Sequence, residues 1–286
     1  MTASNGVRRV VVAVVAIPLA LAIVWQGGWL LAFVLSVVCV LGVRELYAFA
    51  VRQGIRPLVR TGLATAFVLP PAVYYALTRE PALRSDGPYW AAAWLLAVLL
   101  MALARRRASD RPLSATAVTV FGVLYAAVLP CFLLAIRHTT YAERDWSGTW
   151  LVFVPLVVTW VGDTAAMVGG KLLGGPKLAP AVSPGKTWSG ALCGTVASVA
   201  TIPLLNVLVL TGQGVPFPLL RAIVFGLVLS VLGQAGDLVE SLFKREVSLK
   251  DSSALISGHG GMLDRFDSLY FAIPAAAALY RLFEVL

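Results

Sequence analysis

Charge is what this sequence has least of. Asp, Glu, Lys and Arg make up 13% of its 286 residues, where an ordinary soluble domain carries about 25%. That shortage excludes a water-soluble globule, because 59% hydrophobic residues leave too little polar surface to cover one. Cysteine is scarce too. Cys39, Cys131 and Cys193 are far apart in apolar runs and form no C-x-x-C pair, so neither a disulfide framework nor a thiolate zinc site is supported. No internal repeat stands out, and no linker is long enough to separate two soluble domains. A net charge of +9 could suggest nucleic acid, but no polar domain exists to carry a basic face, and in a chain of many spans basic residues mark cytoplasmic loops.

What fills the chain instead is apolar sequence. A span needs about 20 mainly apolar residues, and nine such runs are expected over 10–26, 29–50, 61–78, 89–104, 113–136, 149–170, 188–211, 218–240 and 267–285. Lipid offers no partners to open backbone groups, so the spans must be helical. The expected fold is an all-α polytopic membrane protein with about nine transmembrane helices, in a bacterial-type cytoplasmic membrane. Arg8-Arg9, an apolar run and Ala20-Leu21-Ala22 have the outline of a cleaved signal peptide, but the run continues through Trp25 and is read as an uncleaved first span. Trp25, Trp29, Trp90, Trp146 and Trp150 lie near span ends, as an aromatic belt would.

Lysine and arginine set the orientation. With the N-terminus in the cytoplasm, only Arg79, Arg84, Arg137, Arg144, Arg221 and Arg281 of the 23 basic residues fall outside. That asymmetry predicts N-in, C-out topology. It puts the two glycine- and charge-rich loops, 171–187 and 241–265, on the cytoplasmic face, where nucleotides are.

The polar residues are concentrated there. Ser241–Ser268 gathers Lys244, Arg245, Lys250, Asp251, His259, Asp264, Arg265 and Asp267 around Gly258-His259-Gly260-Gly261. If the eighth span continues as a helix, Asp237, Glu240, Ser241 and Lys244 share one face. A carboxylate, a hydroxyl and an ammonium on one stripe suit a metal and the phosphate it carries. A carboxylate in the bilayer costs roughly 2.5–3.5 kcal/mol, so Asp237, and Asp163 within the sixth span, are read as functional. Glycines such as Gly260 and Gly261 let backbone N–H groups converge on an anion. Asp264, at the entry to the ninth span, is expected to meet Asp237. Two facing carboxylates with waters and substrate phosphate suit Mg²⁺, and Asp267 shares a face with Asp264. Lys171, Lys177 and Lys186 follow Asp163, and Lys186 and Thr187 come at the start of the seventh helix, where backbone donors and the helix dipole favour an anion. The glycine spacing there is not that of a Walker A loop. Arg44-Glu45 near the end of the second span remains open between a buried ion pair and a substrate contact.

These residues form a recognisable pattern. S-x-x-K-R-x-x-x-x-K-D followed by G-H-G-G-x-x-D-R-x-D resembles the signature of the phosphatidate cytidylyltransferases, the CDP-diacylglycerol synthases. It falls on Ser241, Lys244, Arg245, Lys250, Asp251, His259, Gly260, Gly261, Asp264, Arg265 and Asp267. Upstream, D-x-x-A-x-x-x-G and S-P-x-K-T are similar to the same family at Asp163, Ala166, Gly170, Ser183, Pro184, Lys186 and Thr187. The likeness covers roughly 150–286, which divides the chain into residues 1–148, N-terminal helices facing lipid, a dimer partner or the substrate cavity, and 149–286, the catalytic region. It departs from the family at Met167, Ser189, Ser253 and Ser257.

The resemblance implies transfer of CMP from CTP to phosphatidic acid, giving CDP-diacylglycerol and pyrophosphate, in a homodimer among membrane lipids. It implies Asp237 and Asp264 as Mg²⁺ ligands, with Asp163 and Asp267 as further ligands or their supports and a second cation left open. Lys244, Lys250 and Asp251 would serve catalysis. Ser183, Lys186, Thr187, Ser241, Arg245, His259, Gly260, Gly261 and Arg265 would contact the substrates. A cytidylyl- or phosphotransferase acting on an isoprenoid lipid is the near alternative. An ion-coupled transporter would instead need charge across the whole membrane and repeat symmetry, and a scaffold would not need convergent Asp, Lys and Gly.

Overall fold

A computed structural model describes residues 17–80, 82–253 and 260–286. It contains helices α1 (Ile17–Gln26), α2 (Gly28–Arg52), α3 (Val59–Thr78), α4 (Gly87–Arg105), α5 (Pro112–His138), α6 (Trp146–Leu173), α7 (Trp188–Leu210), α8 (Leu219–Glu246) and α9 (Leu269–Leu282). Each expected apolar run holds one of them; residues 10–16 of the first run lie outside the described residues. Six helices, α2 and α4 to α8, are long and apolar enough to cross a membrane. The chain is an all-α polytopic membrane protein. Two of the other helices fall short for physical reasons. α9 has 14 residues, or about 21 Å against a hydrocarbon core of about 30 Å. α3 carries Arg60 in its first turn and Pro70-Pro71 in its middle.

One connection differs from the expected loop. Between α6 and α7 the chain forms an antiparallel hairpin of β1 (Lys177–Ala179) and β2 (Ser183–Thr187), pairing Lys177 with Thr187 and Ala179 with Ser183. Pro180 supplies the fixed φ of the turn, which the Val182 N–H closes on the Ala179 carbonyl at 3.2 Å.

A single buried cluster joins the two halves of the chain. It includes Cys39 and Val43 from α2, Ala126 from α5, Leu151 and Val158 from α6, Phe225 from α8 and Tyr280 from α9. α2 is therefore packed in the same core as the C-terminal helices. α6 and α7 cross at small residues. A Cβ at Gly190 would meet the Ala166 carbonyl at 2.6 Å, and one at Gly194 would meet the Gly162 carbonyl at 2.9 Å. Close backbone approach of this kind is how membrane helices gain contact without a hydrophobic drive. It brings Asp163 on α6 to the same cavity as Lys186 and Thr187 at the start of α7.

Arg137 is a second departure from the sequence reading, which counts it as a loop cation. It is fully buried in α5 and donates to the carbonyls of Val24 (2.8 Å), Trp25 (2.9 Å) and Ala142 (2.7 Å). It satisfies carbonyls at the end of α1 that no helical N–H reaches. His138 beside it accepts the Gly28 N–H at 3.0 Å, which fixes the corner from which α2 runs about 25 Å to Glu45.

Candidate active site

The crossing of α6 and α7, the hairpin and α8 enclose a cavity of about 710 Å³. Asp163, Gly170 and Lys171 from α6, Lys177, Ser183, Lys186 and Thr187 from the connection, and Gln234 and Asp237 from α8 line it. Lys186 Nζ lies 2.7 Å from Asp237 Oδ2, and both side chains stay open to the cavity at 27% and 28% exposure. The Ser241 hydroxyl reaches Asp237 Oδ1 at 3.3 Å. Thr187 caps α7, its Oγ1 accepting the Gly190 N–H at 3.1 Å. Three lysines and the start of a helix against two carboxylates make a chamber suited to a polyanion with a cation.

Arg245 ties the hairpin to α8. Its Nε donates to the Val182 carbonyl at 3.1 Å and its Nη1 to the Leu249 carbonyl at 3.2 Å. The two charge-rich loops, 171–187 and 241–265, therefore meet at one end of the bundle.

Beneath the cavity is a buried charge cluster. Lys244 Nζ lies 2.7 Å from Asp264 Oδ1 and 3.3 Å from Glu240 Oε1, with Glu240 0% exposed. The Glu240 contact is an ion pair without hydrogen-bond geometry. Asp264 Oδ2 accepts the N–H groups of Gly261 (2.8 Å) and Ser252 (2.7 Å) and lies 2.8 Å from the Ser252 hydroxyl. The sequence reading has Asp264 meet Asp237. In the structure Asp264 meets Lys244 and ties Ser252 to Gly261, while Asp237 meets Lys186. Gly260 makes that tie possible: its φ of 76° is in the left-handed region, and a Cβ there would strike the Asp264 carboxylate.

Burial pushes the Asp264 carboxyl up, but Lys244, the N–H groups of Gly261 and Ser252 and the Ser252 hydroxyl outweigh it and hold the group below the usual carboxylate range. Its folded-state pKa is thus below the unfolded value of about 3.9. The stability it contributes is full above about pH 4 and is lost as pH falls through the folded value. The difference in Tm between wild type and Asp264→Asn should hold steady from about pH 8 to 5 and shrink below about pH 4. Tryptophan-fluorescence melts across that range check it, and a difference that shrinks near neutrality would contradict it.

Glu45 is the residue whose role the sequence leaves open, and the structure supplies its partners. Its Oε1 accepts from the Ser253 hydroxyl (2.7 Å) and the Met262 N–H (3.0 Å). Its Oε2 accepts the Leu263 N–H at 2.8 Å and lies 2.9 Å from the Ser252 hydroxyl. The only early signal is a charge near the end of an apolar span.

Oxygen donors for a hard cation are present. Asp163 and Asp237 line the same cavity, and Asp163, Asp237 and Asp267 repel one another, a repulsion a cation would relieve. Mg²⁺ characteristically takes one or two carboxylates with waters and substrate phosphate. That fits this pair, for among the described residues no three His, Cys, Asp or Glu side chains converge as an ion cage. Lys250, Asp251 and Arg265 are exposed beside the loop. His259 lies outside the described residues.

The model of the cytidylyltransferase family matches residues 7–283. A phosphatidate cytidylyltransferase of Brucella suis biovar 1 (strain 1330) is 44% identical over 161 residues, 56% of this chain and 54% of that protein. One of Bacillus subtilis (strain 168) is 42% identical over 140 residues, 49% of this chain and 51% of that protein. Phosphatidate cytidylyltransferase 5, chloroplastic, of Arabidopsis thaliana is 32% identical over 290 residues, 92% of this chain and 69% of that protein. The chain spans about half the length of the bacterial relatives it matches. With the family model covering almost all of the sequence, the chain belongs to the cytidylyltransferase family.

Proposed function

We propose that this chain transfers CMP from CTP to phosphatidic acid, releasing pyrophosphate and leaving CDP-diacylglycerol in the membrane. The observation that carries the reading is the cavity in which Lys171, Lys177 and Lys186 face Asp163 and Asp237. The names of the relatives support the choice of substrates. The triphosphate enters this cavity, and Lys186 exchanges the Asp237 carboxylate for a phosphate oxygen. Phosphatidate, with a second pKa near 6 expected for a phosphomonoester, is largely ionised at neutral pH and needs no strong base. Its oxygen attacks the α-phosphorus of CTP; that P–O bond forms, the bond to the bridging oxygen of the β-phosphate breaks, and pyrophosphate leaves with its charge held by the lysines. Asp163 and Asp237, with Asp267 beside them, would hold Mg²⁺, which when bound neutralises phosphate charge. Asp264 and Lys244 brace the loop beneath the chamber, while exposed Lys250 and Arg265 are positioned for the lipid phosphate.

The nine apolar runs of the sequence support nine spans, the asymmetry of lysine and arginine supports N-in, C-out orientation and a cytoplasmic active site, and the family resemblance supports a homodimer. The test of substrate class is acceptor choice. Purified chain given labelled CTP, Mg²⁺ and either phosphatidate or an isoprenyl phosphate should label phosphatidate. Labelling of the isoprenyl phosphate alone would replace this reading with the isoprenoid one.

A further inference from the structure

We infer that Glu45 is a positioning residue for the proposed reaction, holding Ser252 and Ser253 against Met262 and Leu263 in the arrangement that transfer requires; the inference rests on the functional reading above. Glu45 belongs to α2, outside the stretch that resembles the family signature, yet its partners are 207 to 218 residues away at the two ends of the signature loop. The side chain is 6% exposed. Among the described residues no Lys or Arg pairs with it, and the donors that reach it there are neutral.

The donor count explains why a carboxylate stands there. Two hydroxyls and two backbone N–H groups converge on the side chain. An ionised carboxylate is acceptor-only, with about four lone-pair sites. A glutamine of the same shape brings one oxygen and an NH₂ that donates, so one incoming backbone N–H would face another donor and the serine hydroxyl beside it would have to turn round and accept. Ser252 then couples Glu45 to Asp264. Its hydroxyl lies 2.9 Å from one carboxylate and 2.8 Å from the other, its single proton serves one at a time, and its N–H is fixed on Asp264. The loop is held from α2 by Glu45 and from its own far side by Asp264, which Lys244 anchors to α8. Gly261 sits between them: a Cβ there would strike both the Ser252 hydroxyl and the Glu45 carboxylate. Glu45 does not line the Lys186–Asp237 cavity, so its effect on transfer must pass through the loop.

The test uses full-length chain in nanodiscs, comparing wild type with Glu45→Gln and the milder Glu45→Asp. In Glu45→Gln, kcat for CDP-diacylglycerol should fall about 30-fold or more while KM for CTP moves less than about threefold. Hydrogen exchange should accelerate about tenfold or more in peptides spanning 260–264 and stay unchanged in α6 and α8. Glu45→Asp keeps the acceptors on a shorter stem and should recover part of kcat. Wild-type kcat and wild-type loop protection in Glu45→Gln would overturn the inference. So would exchange that rises equally in every helix with a lowered Tm, since that marks general destabilisation. If Glu45→Gln does not fold, Glu45→Asp decides on the same two readouts. A folded wild type that forms no CDP-diacylglycerol would overturn the functional reading instead, with the exchange pattern still deciding whether Glu45 holds the loop.

Discussion

Replacing Asp237 by asparagine is expected to cut CDP-diacylglycerol formation about a thousandfold, or about 4 kcal/mol of barrier, with little change in thermal stability. The two effects separate because of where Asp237 sits. Its side chain is 28% exposed in the cavity, and its partner Lys186 is equally open. An exposed pair of this kind contributes at most about 1 kcal/mol to stability, and Lys186 left alone stays solvated. Asparagine keeps the size of the side chain and an oxygen for Lys186 and Ser241. What it removes is the negative charge that, with Asp163, makes the chamber attractive to a divalent cation. Steady-state assays over a range of Mg²⁺ concentration, alongside thermal melts, check this. Activity within tenfold of wild type would remove Asp237 from the site.

Lys244→Met should do the reverse and strike the fold first. Methionine fills the space of the lysine stem but leaves Glu240, 0% exposed, and Asp264 without their cation. Removing one partner from a buried ion cluster costs about 3–5 kcal/mol, because the remaining charges cannot be resolvated. For a chain of this size that lowers Tm by roughly 10 °C. Adding Glu240→Gln to Lys244→Met should recover part of the loss, since the second change deletes one stranded charge. A single variant that melts within about 2 °C of wild type, or a double variant that melts lower still, would contradict the assignment of Lys244 as a structural ion. The resemblance implies a catalytic role for Lys244, and the structure gives it Glu240 and Asp264 as partners. It stands on one helical face with Asp237 and Ser241, about two turns beyond Asp237, where it is buried.

The contrast between these residues shows what the sequence could disclose. Asp163, Lys186 and Asp237 stand out because charge in or beside an apolar span is costly and has few explanations, and the three do line one cavity. Helix positions were equally legible, because long apolar runs in a chain this poor in charge admit little else. Three things were not. The hairpin at Lys177–Thr187 has strands of three and five residues around a proline turn, too short to leave a periodic signal. Arg137 reads as a loop cation because its three carbonyl partners belong to segments whose approach only the fold determines. Glu45 is visible as an anomaly, but a charge cannot announce a partner more than 200 residues away. The Asp237–Asp264 pairing fails to appear for a related reason. Both carboxylates lie on the correct elements, yet which cation each one meets depends on the rotation of α8 against the 260–267 segment.

The most direct measurement of the central claim is the fate of the cytidine. Folded wild-type chain should be incubated with CTP labelled in the cytosine ring, with phosphatidate and Mg²⁺, and the lipid extract and released pyrophosphate quantified together. The account predicts one lipid-borne cytidine for each pyrophosphate released, with both signals lost in Asp237→Asn. Folded wild type that leaves all the label in the aqueous phase, or Asp237→Asn that matches it in both products, would contradict the account.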